Sequence, residues 1–368
     1  TDLGNEEATE KWFEAQSTEV RSVIAGRAAL RVLGVLSFSD ESKQDWVLLS
    51  VFRCLLLSAV RGLERSAHSQ LLETASRSSR RLIDFAARST IRSTSLAVLS
   101  AASSAAGAAN SAKFAASSTK RSAETVERSA KGPEARSFIT SSIKWDCQNN
   151  THYLLAEPLW KGAEVPNGIQ IQHDFFLALL HQKPNWDFFH RWYAQMWDGT
   201  FRDWDLAIAV ATLDPELWEG EDALAKVAEA IRGIEARRAL KRAISELRGS
   251  SEIVPEEDVR MHRGHNNPPE LIDEPLLVAR REIVWAAIDD LEREAESETP
   301  KKDLVRRSLD LVTRWLRDVL AFLGRKADLT IDQVIKWGLP MGGTYLLAHP
   351  AKLQQIIEAG KAWLPFLP

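Results

Sequence analysis

Between Ala87 and Ser129 a heptad frame can be laid over the chain so that thirteen successive a and d positions are all Ala, Ser or Thr. They are Ala87, Thr90, Thr94, Ala97, Ala101, Ser104, Ala108, Ser111, Ala115, Ser118, Ser122, Thr125 and Ser129. This seam restricts the fold, because small side chains let two helix backbones approach to or below the usual separation of about 8–10 Å. Larger residues (Ile91, Leu96, Leu99, Phe114 and Val126) flank it and can close over it. Ala favours helix while Ser and Thr weaken it, so propensity alone leaves a solvated helix or a spacer open. The regularity of the pattern favours a packed helical hairpin.

The rest of the chain follows the same period. Val20, Ile24, Leu30, Leu33 and Leu36 recur at helical spacing, and Ser37 with Asp40 resembles a capping box before the next helix. Trp46–Val60 is strongly apolar, yet Asp45, Arg53 and Arg61 interrupt or flank it. It falls short of the roughly 18–20 residues that cross a bilayer, so a buried core helix is expected. No segment alternates with period two. The expected class is therefore all-α.

A chain of 368 residues exceeds what one core usually organises, so two or three domains are expected. With 45% hydrophobic and 27% charged residues it is neither disordered nor a polytopic membrane protein. The charge is unevenly spread. Arg61–Lys131 carries twelve Lys and Arg against five Asp and Glu, or +7, leaving −11 on the remainder of a chain whose net charge is −4. Such a basic module can face phosphate, anionic lipid or the acidic remainder of its own chain, and the last is favoured. Phe85 and Phe114 are its only aromatic residues, so a stacking surface for nucleic acid is missing and a nucleic-acid partner is not expected. Two cysteines, Cys54 and Cys147, and a start without a basic, apolar leader point to a cytoplasmic setting, with peripheral membrane contact as the alternative.

Gly132-Pro133 opens a second module, and Pro158, Gly162, Pro166 and Gly168 mark a loop. Then comes a block with Trp186, Trp192, Trp197, Trp204 and Trp218, interleaved with Phe188, Phe189 and Tyr193. Rings at helical spacing usually form a core, with an aromatic-lined cleft as the alternative. Asp187, Asp198, Asp203, Asp205 and Asp214 lie near enough in sequence to accept the indole N–H bonds. A long helix from Glu221 to about Arg248 follows, then a Gly- and Pro-bracketed segment holding His265-Asn266-Asn267-Pro268-Pro269-Glu270. From Pro275 onward three or four helices are expected, including an uncharged stretch, Trp337–Ala348, broken by Gly and Pro. A buried small-residue contact is the favoured reading of that stretch; an interfacial hairpin is the alternative. The expected organisation is an N-terminal module (1–131), a Trp-rich helical domain (132–250), a linker (251–275) and a C-terminal bundle or hairpin (276–368).

Three features in this order resemble a group of uncharacterised bacterial helical proteins: the Ala/Ser-rich stretch, the block Trp186…Trp192-Tyr193…Asp203-Trp204…Trp218 with Gly220, and the HNNPPE segment. That last string is also similar to the start of some phage-encoded helical proteins. The likeness covers about two-thirds of the chain. It implies a bacterial protein of the mobile or accessory gene pool, such as a defence-like complex, and carries no functional residue with it.

Catalytic signatures are missing: there is no P-loop, nucleophile elbow, HExxH or EF-hand loop. His262 and His265 lack a third ligand nearby, His181 and His190 are nine apart, and pairing Cys147 with His152 or His173 is a combination any such chain permits. No cofactor or metal is expected. The leading expectation is a non-enzymatic interaction or scaffold protein that binds other chains or itself. Its candidate contact residues are Trp186, Trp192, Tyr193, Trp337, Tyr345, Trp363 and Phe366. The alternatives are a membrane-acting effector using the C-terminal apolar hairpin, and an enzyme with an unrecognised helical site.

Overall fold

A computed structural model describes residues 6–35, 41–63, 93–108, 110–129, 133–149, 154–160, 165–251, 275–325, 346 and 349–368. Regular structure among the described residues is entirely helical, as the apolar spacing requires. Contacts divide the chain into two compact units, 1–231 and 232–368.

The first unit is built around α2 (Thr18–Arg31), opened by Ser17, whose side chain accepts the Val20 N–H. Every residue of α2 from Ser22 onward is buried. Around it pack α3 (Glu41–Arg61) and the hairpin of α4 (Ser93–Gly107) and α5 (Ala112–Ser129), and α1 (Glu6–Glu14) packs on α5. Helix α6 (Pro133–Gln148) packs on α5 and α2.

The small-residue seam is the contact surface of that hairpin. Ala101, Ala108, Ala115, Ser118, Ser122 and Thr125 are all fully buried, and Ser104 nearly so. The serines bridge helices as well as fitting between them. Ser118 Oγ lies 3.0 Å from the Ala101 carbonyl on α4 and 3.1 Å from the Ala25 carbonyl on α2. Ser58 on α3 does the same between Ser22 and Ala105, at 2.7 and 3.2 Å. A Cβ on Gly26 would sit 2.8 Å from Ser58 Oγ, so the close approach of α2 and α3 requires glycine there. Phe114 does not close over the seam; it is 39% exposed. Ala87, Thr90 and Ile91 lie outside the described residues.

Four further helices complete the unit: α7 (Asn167–Gln182), α8 (Asp187–Asp198), α9 (Trp204–Ala211) and the first turns of α10 (Ala223–Ser251). Gly199, at φ 68°, ends α8 in the left-handed conformation. Helix α7 packs on the short turn Leu33–Val35 after α2, and α9 packs on α3. These contacts join the segments 1–131 and 132–231 in one unit. The division falls inside α10, between Ile231 and Arg232, and not at the Gly132-Pro133 break. A chain break in propensity ends a helix; only the packing decides whether it ends a domain.

The second unit holds the remainder of α10 with α11 (Pro275–Glu296), α12 (Lys302–Arg325) and α13 (Pro350–Trp363). Its core is largely aliphatic: Leu240, Ile244, Val284, Ile288, Leu291, Val312, Leu316, Leu353 and Ile356 are among its buried members, with Trp315 and Trp363. Arg237 caps α11, donating to the carbonyls of Ala295 (2.8 Å) and Ser297 (2.6 Å), and lies over the Trp363 ring. Lys302 Nζ holds the final turn through the Leu367 carbonyl at 2.7 Å.

Candidate functional site

The Trp block is a core. Phe52 of α3 lies at its centre, with ring centroids 5.1 Å from Phe189, 5.6 Å from Trp186, 6.1 Å from Trp192 and 6.4 Å from Tyr193. Trp186, Trp192, Tyr193 and Phe189 are completely buried and Trp218 almost so. Three of the residues expected to meet a partner, Trp186, Trp192 and Tyr193, are therefore inside the first unit, their rings packed around Phe52. Two of the nearby aspartates cap the backbone. Asp203 accepts the Leu206 N–H at 3.2 Å and Asp214 the Glu216 N–H at 2.9 Å, capping the elements that follow them. The indole N–H groups of Trp186, Trp192 and Trp218 have no hydrogen-bond partner.

At the C-terminus, Trp363 is 3% exposed and Leu367 is buried in the aliphatic core of the second unit, while Phe366 is half-buried against Gly233. The apolar chain end is thus covered by its own unit. Trp337, Tyr345 and the HNNPPE segment lie outside the described residues.

What the first unit presents outward is a different set. Helix α7 reads Asn-Gly-Ile-Gln-Ile-Gln-His-Asp-Phe-Phe-Leu-Ala-Leu-Leu-His-Gln, and Asp174 is its single formal charge. A helix apolar on all sides belongs in an interior. Here Ile169, His173, Phe176 and Leu180 are buried, and the opposite face stays open, with Ile171 59% and Phe175 71% exposed. Gly168 and Ala178, both exposed, extend this stripe by about one turn in each direction. Isolated apolar residues at a surface are ordinary, but two large ones a turn apart on an almost uncharged helix form a patch.

The stripe rests on a packed, hydrogen-bonded layer. The His173 ring stacks on Trp197 at 3.7 Å, and its Nδ1–H donates to the Asp174 carboxylate at 3.1 Å, since a carboxylate only accepts. Gln170 donates to the same oxygen at 2.7 Å. Burial outweighs Asp174 and lowers the His173 pKa, so the ring is neutral near pH 7. At the far end of α7, Lys183 binds Asp45 at 2.7 Å. His181 on the edge of the stripe meets His190 of α8 with ring centroids 5.4 Å apart; burial, then the neighbouring His181, lower the His190 pKa.

Burial and the adjacent Asp146 push the Cys147 thiol up to about 12, which keeps it protonated and unreactive. No group of three or more His, Cys, Asp or Glu able to hold a metal occurs among the described residues. The exposed pair Ile171 and Phe175 went unnoticed in the sequence, although the near-absence of charge across α7 was its visible signal.

No family model matches this chain, and no curated protein or solved structure is significantly similar to it.

Proposed function

We propose that this chain is a non-enzymatic interaction protein that docks other helical chains, its own copies included, through the exposed stripe of α7. The observation carrying this reading is the 59% and 71% exposure of Ile171 and Phe175 on a helix with one formal charge. Apolar surface of this kind gains free energy when covered, at about 25 cal/mol per Å². The side chains beneath it are already packed and hydrogen-bonded, so little ordering is needed on contact, which favours binding. The burial of Trp363 and Leu367 within their own unit supports a protein partner over a lipid one, and among the described residues no helix is long and apolar enough to cross a membrane.

Sedimentation across a concentration series tests the reading. Mass should rise with concentration, and the pair Ile171→Asp with Phe175→Asp should hold the chain at monomer mass with its helicity unchanged. Wild type and variant of equal mass at every concentration would overturn the docking role of α7 for copies of the chain, and flotation of the wild type with anionic liposomes would replace it with a membrane role.

A further inference from the structure

The second unit carries a groove of about 330 Å³ between α11 and α12. Its walls are Ile283 and Val284 on one side and Leu311 and Trp315 on the other. Val284 and Trp315 belong to the aliphatic core, whereas Ile283 is 50% and Leu311 41% exposed, so the groove has a buried floor and an open apolar lip. The volume lies at the lower end of binding-site sizes.

Two guanidinium groups edge this apolar surface. Arg314 and Arg317 are exposed and one turn apart on α12, and neither meets a carboxylate among the described residues. Several other arginines of this unit are paired: Arg248 with Asp289 and Glu292, Arg293 with Asp290, and Arg306 with Asp303. Asp318 is the single acid among the lining residues, so the lining carries two guanidinium groups against one carboxylate.

We propose that this groove seats an acidic amphipathic helix of a partner protein. A helix laid between α11 and α12 would place an apolar pair over Ile283 and Leu311, in the way a third helix fills the furrow between two others. Carboxylates flanking its apolar stripe would reach Arg314 and Arg317, whose one-turn spacing matches Glu residues three or four apart on the incoming helix. The proposal concerns the second unit alone and is read by peptide binding, whereas the α7 reading is read by mass in solution, so the two can fail separately.

The test is fluorescence anisotropy on the full chain with a labelled synthetic helical peptide bearing Leu at i, i+3, i+4 and i+7 and Glu on both flanks. A control peptide carries Lys in place of every Glu. The Glu peptide should bind more than about tenfold tighter than the Lys peptide, and its binding should weaken with added salt. Arg314→Gln and Arg317→Gln should each lower affinity about two- to fivefold, the range expected for exposed ion pairs. Leu311→Asp should abolish binding, and Arg306→Gln, which removes an equal charge elsewhere on α12, should leave it unchanged. Equal binding of the two peptides, no binding of either, or an equal loss from Arg306→Gln would overturn the proposal. Saturable binding of dodecanoate that Leu311→Asp removes, with no binding of the Glu peptide, would reassign the groove to a fatty carboxylate.

Discussion

Arg27 and Arg31 on α2 and Arg53 on α3 are all at most 2% exposed, yet they occupy opposite kinds of interior. Around the first two the chain supplies an acceptor at nearly every position. Asp146 of α6 stands 3.2 Å from Arg27 Nε and 2.6 Å from Arg31 Nη1. Carbonyls of the short segment after α6 take up the other donors: Leu154, Glu157 at 2.9 Å and Pro158 at 2.7 Å for Arg27, and Leu159 at 2.7 and 2.9 Å for Arg31. Arg53 has no hydrogen-bond partner for any of its three nitrogens. It lies 4.7 Å from the Trp218 ring, and Asp214 and Glu219 act on it only at a distance. Burial lowers its pKa to about 10, still high enough to keep it charged. The same residue type thus organises a loop in one place and stands as an uncompensated charge in the other. A buried guanidinium stabilises a structure when acceptors surround it and weakens it when only a ring does.

Removing Asp146 strikes this contrast hardest. Asp146→Ala leaves two buried guanidinium groups without their acid and should destabilise by about 3–5 kcal/mol in urea unfolding. A loss under ~1 kcal/mol would mean that the backbone carbonyls alone satisfy both arginines. The opposite outcome is expected for Arg53→Met, which removes a charge with no hydrogen bond to lose and keeps a similar length. It should raise stability by about 1–3 kcal/mol, reduced by the cation–π contact with Trp218. If Arg53→Met unfolds more easily than wild type, the ring contact outweighs desolvation and the two arginine environments are alike after all.

The smallest effect sharpens the comparison with a base that can shed its charge. His173 is held below its ordinary pKa by burial, so as pH falls the unfolded chain takes up a proton before the folded one does. Its contribution is full above about pH 6.5 and is lost as pH drops below that, with a slope of at most ~1.4 kcal/mol per pH unit. His173→Phe keeps a ring on Trp197 and should flatten the stability profile over that window. An unchanged profile would show that other groups set it.

Much of the fold was legible because it rests on local pattern. The seam from Ala101 to Thr125 reads as a hairpin since its period survives in the sequence, and the Trp block reads as core since large rings at helical spacing share a face. The buried arginines were not legible. Arg27 and Asp146 are 119 residues apart, and a charged residue in sequence looks like a surface residue until its acceptor is in view. The α7 stripe was missed for the converse reason: Ile171 and Phe175 look like core until the packing leaves them uncovered. The packing that joins 132–231 to the first helices was not legible either, because contacts of α6 and α9 with earlier helices cannot be read from the Gly132-Pro133 break.

The hairpin of α4 and α5 has a consequence for how the first unit responds to temperature. Its interface buries methyls and hydroxyls in place of long side chains, with Ser118 and Ser58 spanning three helices. Ala loses almost no side-chain entropy on ordering, so fixing this hairpin costs little beyond its backbone. Opening it would expose little apolar area and several carbonyls and hydroxyls, and polar exposure lowers the heat capacity of unfolding. Its contribution should fall below the roughly 12–15 cal/mol/K per residue of ordinary domains, while the aromatic cluster around Phe52 lies above it. On cooling, the hydrophobic stabilisation of that cluster weakens first, and the small-residue hairpin keeps its cohesion.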